Sequence, residues 1–155
     1  MDNISDLKFA TPHARTQEKH IQAFEELVGC PFPEPYRRFL QLHNGGVPFS
    51  NAFDVYSPLE NRVLYTYIIK EFLGVGLKDG MEKAYNLFKK DLPPFFVPIA
   101  FDTFTNLMIL SLKTGEIYFW DCNFRVRKDK TNQILLWVCE SFEDFLDSLY
   151  TKKYN

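Results

Sequence analysis

The sequence predicts an α+β fold: a mainly antiparallel sheet with helices packed against it, in a single domain. Three observations carry this. Apolar residues recur at helical spacing in stretches near both ends of the chain. Short runs rich in β-branched and aromatic residues, separated by turn signals, fill much of the middle. No linker composition interrupts them. At 155 residues with 46% hydrophobic content, the chain suits one domain over 1–155 with one sizeable core. Its 16 Phe, 8 Tyr and 2 Trp supply much of the apolar area of that core.

The spacing predicts helices near 17–28, 34–43, 80–92 and 142–150. In the first, Thr16 is placed to cap, Ile21, Phe24, Leu27 and Val28 form one stripe, and Gly29 stops the helix. The second has Pro35 near its start, where a missing N–H costs nothing, and turns Tyr36, Phe39 and Leu40 inward. The short connection between these helices predicts that they pack together. Asn44 and Gly45 fit a left-handed helix stop, and Pro48 prevents resumption.

From 49 to about 78, "FDVYS" and "YTYIIKEFLGVGL" suggest strands. Asp79 then opens a third helix, with Met81, Tyr85, Phe88 and Leu92 on one face and Pro93–Pro94 at its end. Strands are predicted at 97–100, 107–112, 116–121 and 134–138. The pair 107–112 and 116–121 is joined by "KTG", with Gly115 suited to a left-handed turn, and reads as an antiparallel hairpin. In the last helix Ser141 precedes Asp144 by three residues, a capping-box-like start, and Phe142, Phe145, Leu146 and Leu149 line one face. Glu140, Glu143, Asp144 and Asp147 follow the same spacing on a neighbouring face and form an acidic stripe. A solvated helix face favoured by the helix dipole has the same composition.

A net charge of −2 lacks the basic excess of a nucleic-acid binder, so direct nucleic-acid binding is not expected. The opening "MDNISDLKFATPH" does not read as a secretory signal, and "LPPFFVPIAF" is too short and proline-broken to span a membrane. Three widely spaced cysteines give no disulfide framework, and a cytoplasmic protein with reduced thiols is expected. No phosphate loop, nucleophile elbow or metal-ligand spacing is present. His13, His20, His43, Cys30, Cys122 and Cys139 are scattered, and His43 suits a helix end. Asp102 and Asp121 follow apolar strands but read first as turn formers. The "RVRKDK" run at 125–130 reads as a solvated loop. No catalytic residue, cofactor or metal is expected.

Four stretches, in this order, resemble the SUKH superfamily, which includes yeast cell-wall-assembly regulator and killer-toxin-resistance proteins and many bacterial immunity proteins. They are "VGCPFPEPYRRFLQLHNGGVP", "FFVPIAFDTFTNLMILSL", "GEIYFWD" and "SFEDFLDSLY", spanning roughly 16–150. Where members often carry a glycine after "PIA-x-D", this chain has Thr103-Phe104-Thr105-Asn106. The resemblance implies an α+β fold and a non-enzymatic binding protein. In bacterial toxin systems such a member is an immunity protein, or antitoxin, that neutralises a cognate protein toxin, often a nuclease. A general scaffold or regulatory adaptor is the alternative. The basic clefts of nucleases favour an acidic inhibitor face. The candidate partner-binding residues are therefore Glu140, Glu143, Asp144 and Asp147. Asn44, Gly45 and Gly46 are added as exposed backbone groups, and Tyr118 or Trp120 as an aromatic anchor.

Overall fold

The computed structural model describes residues 3–57, 59–121 and 135–152, and of Asn3 the backbone alone. The "RVRKDK" run, Cys122 and residue 134 lie outside them. In chain order the elements are α1 (Asn3–Asp6), β1 (Phe9–Pro12), α2 (Glu18–Val28), α3 (Glu34–Leu42), β2 (Gly46–Pro48), β3 (Ala52–Tyr56), β4 (Val63–Phe72), α4 (Met81–Phe88), β5 (Phe96–Asp102), β6 (Leu107–Ser111), β7 (Ile117–Trp120), β8 (Leu135–Cys139) and α5 (Phe142–Ser148). The fold is α+β, with one antiparallel sheet.

Along the sheet the strands run β1-β2-β4-β5-β6-β7-β8, and β3 pairs with the first half of β4. The predicted hairpin forms with Leu107 opposite Trp120 and Ile109 opposite Tyr118. Alternation along the strands sorts side chains onto two faces. Val97, Ile99, Met108, Leu110, Ile117 and Phe119 join the main core with the aromatic residues of α2, α3 and α5. Leu107, Ile109 and Trp120 form a smaller cluster with Leu92, against which Phe88 packs. The register of each central strand is therefore specified from both sides, since a one-residue slip would exchange the two sets.

Helices α2 and α3 pack as expected. The Glu25 carboxylate accepts the Phe32 N–H at 2.7 Å and pairs with Arg37, which also binds Glu18. Thr16 does not cap α2: Gln17 occupies the cap position with no side-chain bond, and the Thr16 hydroxyl donates to the Gln17 carbonyl. Leu27 is 49% exposed, so the buried stripe of α2 narrows to Ile21 and Phe24. Helix α4 is shorter than predicted. It starts after Gly80, with Asp79 paired to Lys83, and ends at Phe88. A turn then closes through Leu92 N–H to the Phe88 carbonyl, which still delivers Leu92 to the sheet.

Three elements, α1, β1 and β2, carry no sequence signal, and each depends on the end of α3. Asn44 adopts φ 54°, followed by Gly45 at 87° and Gly46 at 129°, so the helix does stop in left-handed backbone. The turn is not exposed, however: all three residues are buried. A β-carbon on Gly45 would stand 2.5 Å from the Phe72 carbonyl oxygen, and one on Gly46 would strike the Thr11 carbonyl. The double glycine does admit a close backbone, and that backbone is the protein's own. Asn44 completes the junction. Its amide nitrogen donates to the carbonyls of Ala14 (2.9 Å) and Val75 (3.0 Å), and its oxygen accepts the Val75 N–H (2.8 Å).

Replacing Asn44 by Ala strands the buried N–H and carbonyl of Val75 and frees the Ala14 carbonyl, and the expected loss is roughly 2 kcal/mol or more, read from urea unfolding. A loss within error of zero would show that the junction is dispensable. Tyr36 gives the opposite case. Its ring is fully buried among Phe32, Phe39 and Phe142, while its hydroxyl has no hydrogen-bond partner among the described residues. Tyr36→Phe is expected to hold stability or raise it by about 1 kcal/mol; a clear drop in the same titration would reveal a bond to that hydroxyl.

Candidate interaction surface

Helix α5 is held by one half of its surface. Phe142 packs on Tyr36 and Phe39 with ring centroids 4.9 Å apart in each case, and Phe145 packs on Phe53 at 5.3 Å. Leu146 completes the buried set. With 142, 145 and 146 committed inward, 143, 144 and 147 must point outward. Glu143, Asp144 and Asp147 are indeed exposed. The Ser141 hydroxyl caps the helix by accepting the Asp144 N–H at 3.1 Å. Acids in this first turn also face the positive end of the helix dipole.

Glu140 is exposed but precedes the helix, so the helical spacing joins only three of the four carboxylates. Its position follows from β8 and the β6–β7 turn instead. A β-carbon on Gly115 would lie 4.0 Å from the Glu140 carbonyl oxygen, which puts the turn against it. The next residue, Glu116, accepts the Trp137 indole N–H at 2.8 Å. Trp137 in turn stands opposite Tyr118 in the β7–β8 register. The Glu140 backbone therefore borders the turn that carries Glu116, and Glu116 holds Trp137 beside Tyr118.

The expected anchors separate accordingly. Tyr118 is half-buried on this surface, whereas Trp120 is 1% exposed beneath Phe88 and cannot anchor a partner without unpacking. Asn44, Gly45 and Gly46 are occupied by the internal junction and present no free backbone to a partner. Trp137, 47% exposed, is the aromatic side chain the sequence reading passed over. Its signal was the alternation in "LLWVC": if Leu136 and Val138 face the core, Trp137 faces away.

The scattered titratable residues serve the fold. His13 pairs with Glu71, and His43 meets the Ile4 carbonyl. Asp102 is buried in its own turn, accepting the N–H groups of Phe104 and Asn106 and the Asn106 side-chain amide. Burial pushes the Cys139 thiol up to about 12, and it donates to the Ser141 carbonyl. Among the described residues no group of three or more His, Cys, Asp or Glu is placed to hold a metal ion. None of the described helices is long and apolar enough to cross a membrane.

No curated protein matches the chain. A family model does: that of the SMI1 / KNR4 family (SUKH-1), over residues 16–148. That span runs from just before α2 to the last residue of α5, and so takes in the buried helix stop, the central hairpin and the acidic helix. The chain belongs to the SMI1 / KNR4 family (SUKH-1).

Proposed function

We propose that this protein is a non-enzymatic immunity protein that binds and neutralises a cognate protein toxin, a nuclease of a bacterial polymorphic toxin system. Membership of a family that includes immunity proteins supports the class of function. The single structural observation that carries the reading is the division of labour on α5. Its apolar half is buried in the core, while Glu143, Asp144 and Asp147, with Glu140 just before the helix, stand outside. A nuclease cleft must attract a polyanion and is therefore basic. Clustered carboxylates held rigidly on a core-packed helix steer such a partner and fix its orientation.

Co-expression with any toxin-like protein found to be encoded beside its gene tests the reading directly. Protection of the cells and co-purification of the two proteins are expected. Continued killing without co-purification would remove the immunity role and leave an adaptor that binds some other protein.

The surface is tested separately by the combined variant Glu140→Gln, Glu143→Gln, Asp144→Asn and Asp147→Asn. Exposed charges contribute little to stability, so its thermal unfolding should stay close to wild type. Association with the toxin at low salt should slow by about an order of magnitude, and its salt dependence should flatten. Unchanged association rates and salt dependence, measured by stopped flow, would show that the acids only solvate the helix.

A further inference from the structure

Among the described residues, the side of the sheet away from the main core is covered over only part of its width. Phe88 and Leu92 roof Trp120, Leu107 and Ile109. Beyond them, Phe96, Tyr118 and Trp137 run across the sheet as an aromatic strip, with Leu135 beside Trp137. Phe96 and Tyr118 meet edge to face at 5.6 Å, and Tyr118 stands opposite Trp137. Trp137 and Leu135 are 47% and 39% exposed on the last strand of the sheet. At this end of the strip Glu116 sets a carboxylate on the indole N–H. A nearby cation among the described residues, Lys113, is turned to the Phe95 ring at 4.6 Å.

We propose that this strip is a docking surface for a basic polypeptide segment, which lays an arginine side chain on the Trp137 indole and pairs it with the flanking carboxylate of Glu116. The ring face attracts a cation electrostatically. Glu116 fixes the indole through its N–H and adds negative charge at its edge. Arginine fits better than lysine, because a planar guanidinium stacks on the ring and presents forked donors to a carboxylate. The apolar side chains alternating with arginine in an extended segment would cover Tyr118 and Leu135. This deepens the immunity reading, from which it takes only that the partner is a basic protein. It names a surface distinct from the outward face of α5.

The probe is a synthetic peptide alternating arginine with valine, titrated into the full chain while tryptophan quenching by acrylamide is followed. Trp120 is buried, so among the described residues the quenchable signal reports Trp137. The peptide is expected to shield Trp137, and its affinity, measured by calorimetry, to fall about tenfold or more in Trp137→Ala and in Glu116→Gln. The variant Glu143→Gln/Asp144→Asn/Asp147→Asn should bind it as wild type does. Absence of shielding, equal binding by the strip variants, or equal binding of a glutamate–valine peptide would overturn the proposal. So would sedimentation showing that Trp137→Ala abolishes a dimer while peptide binding is unaffected, which would give the strip to a second copy of the chain. No toxin enters this experiment, so its failure and the failure of toxin neutralisation are separately visible.

Discussion

The buried amide of Asn44 is the constraint on which the rest of the arrangement depends. It stands in for a strand: its oxygen accepts the Val75 N–H, and its nitrogen donates to the Val75 carbonyl, as a neighbouring peptide group would. The same nitrogen reaches the Ala14 carbonyl, in the segment between β1 and α2. One side chain thus satisfies three backbone groups from two distant parts of the chain, and the two on Val75 are buried. Unpaired, each of the two Val75 groups would weigh against folding by more than a typical hydrogen bond contributes. Because Asn tolerates left-handed backbone better than most residues, the same residue also ends α3. Gly45 and Gly46 then let β4 and β1 approach closer than any side chain would permit.

This explains which elements were legible in the sequence and which were not. The hairpin of β6 and β7 and the helices α2, α3 and α5 are specified by local period and turn chemistry, so a single stretch carries the information. Strand β2 is three residues containing Gly46, and β1 reads "FATP"; neither has a period of its own. They become strands because the α3 stop places Gly46 opposite both Pro12 and Phe72. The end of α4 was misread for a related reason. Leu92 does face the sheet, but it arrives there through a turn, and apolar spacing alone does not distinguish that from another helical turn.

The candidate surface divides in the same way. Exposure of Glu143, Asp144 and Asp147 follows from the apolar partners on α5, so the period sufficed. Glu140 is related to them by the β8–α5 corner and not by the helix, which the spacing concealed. Burial of Asn44 and of Trp120 is a tertiary fact: each is covered by residues far away in sequence. The acidic half of α5 is free of core packing, so it can change without disturbing Phe142, Phe145 and Leu146. That independence lets one fold carry different outer faces.

Why one tryptophan is covered and the other open comes down to the reach of a single segment. Trp120 and Trp137 lie on adjacent strands and project from the same side of the sheet. Helix α4 ends at Phe88, and the turn after it sets Leu92 beside Trp120, so Phe88 and Leu92 seal β6 and the end of β7. Trp137, one strand further out, lies outside the cluster they seal. An outer strand would be expected to carry polar or charged residues here, since exposed apolar surface invites association. Instead it carries a tryptophan whose indole N–H is already held by Glu116. Holding the ring in one orientation lowers the entropy lost when something stacks on it. The exposed Trp137 indole is thus oriented before any partner arrives, which is the condition for an anchor and not merely for an exposed hydrophobe.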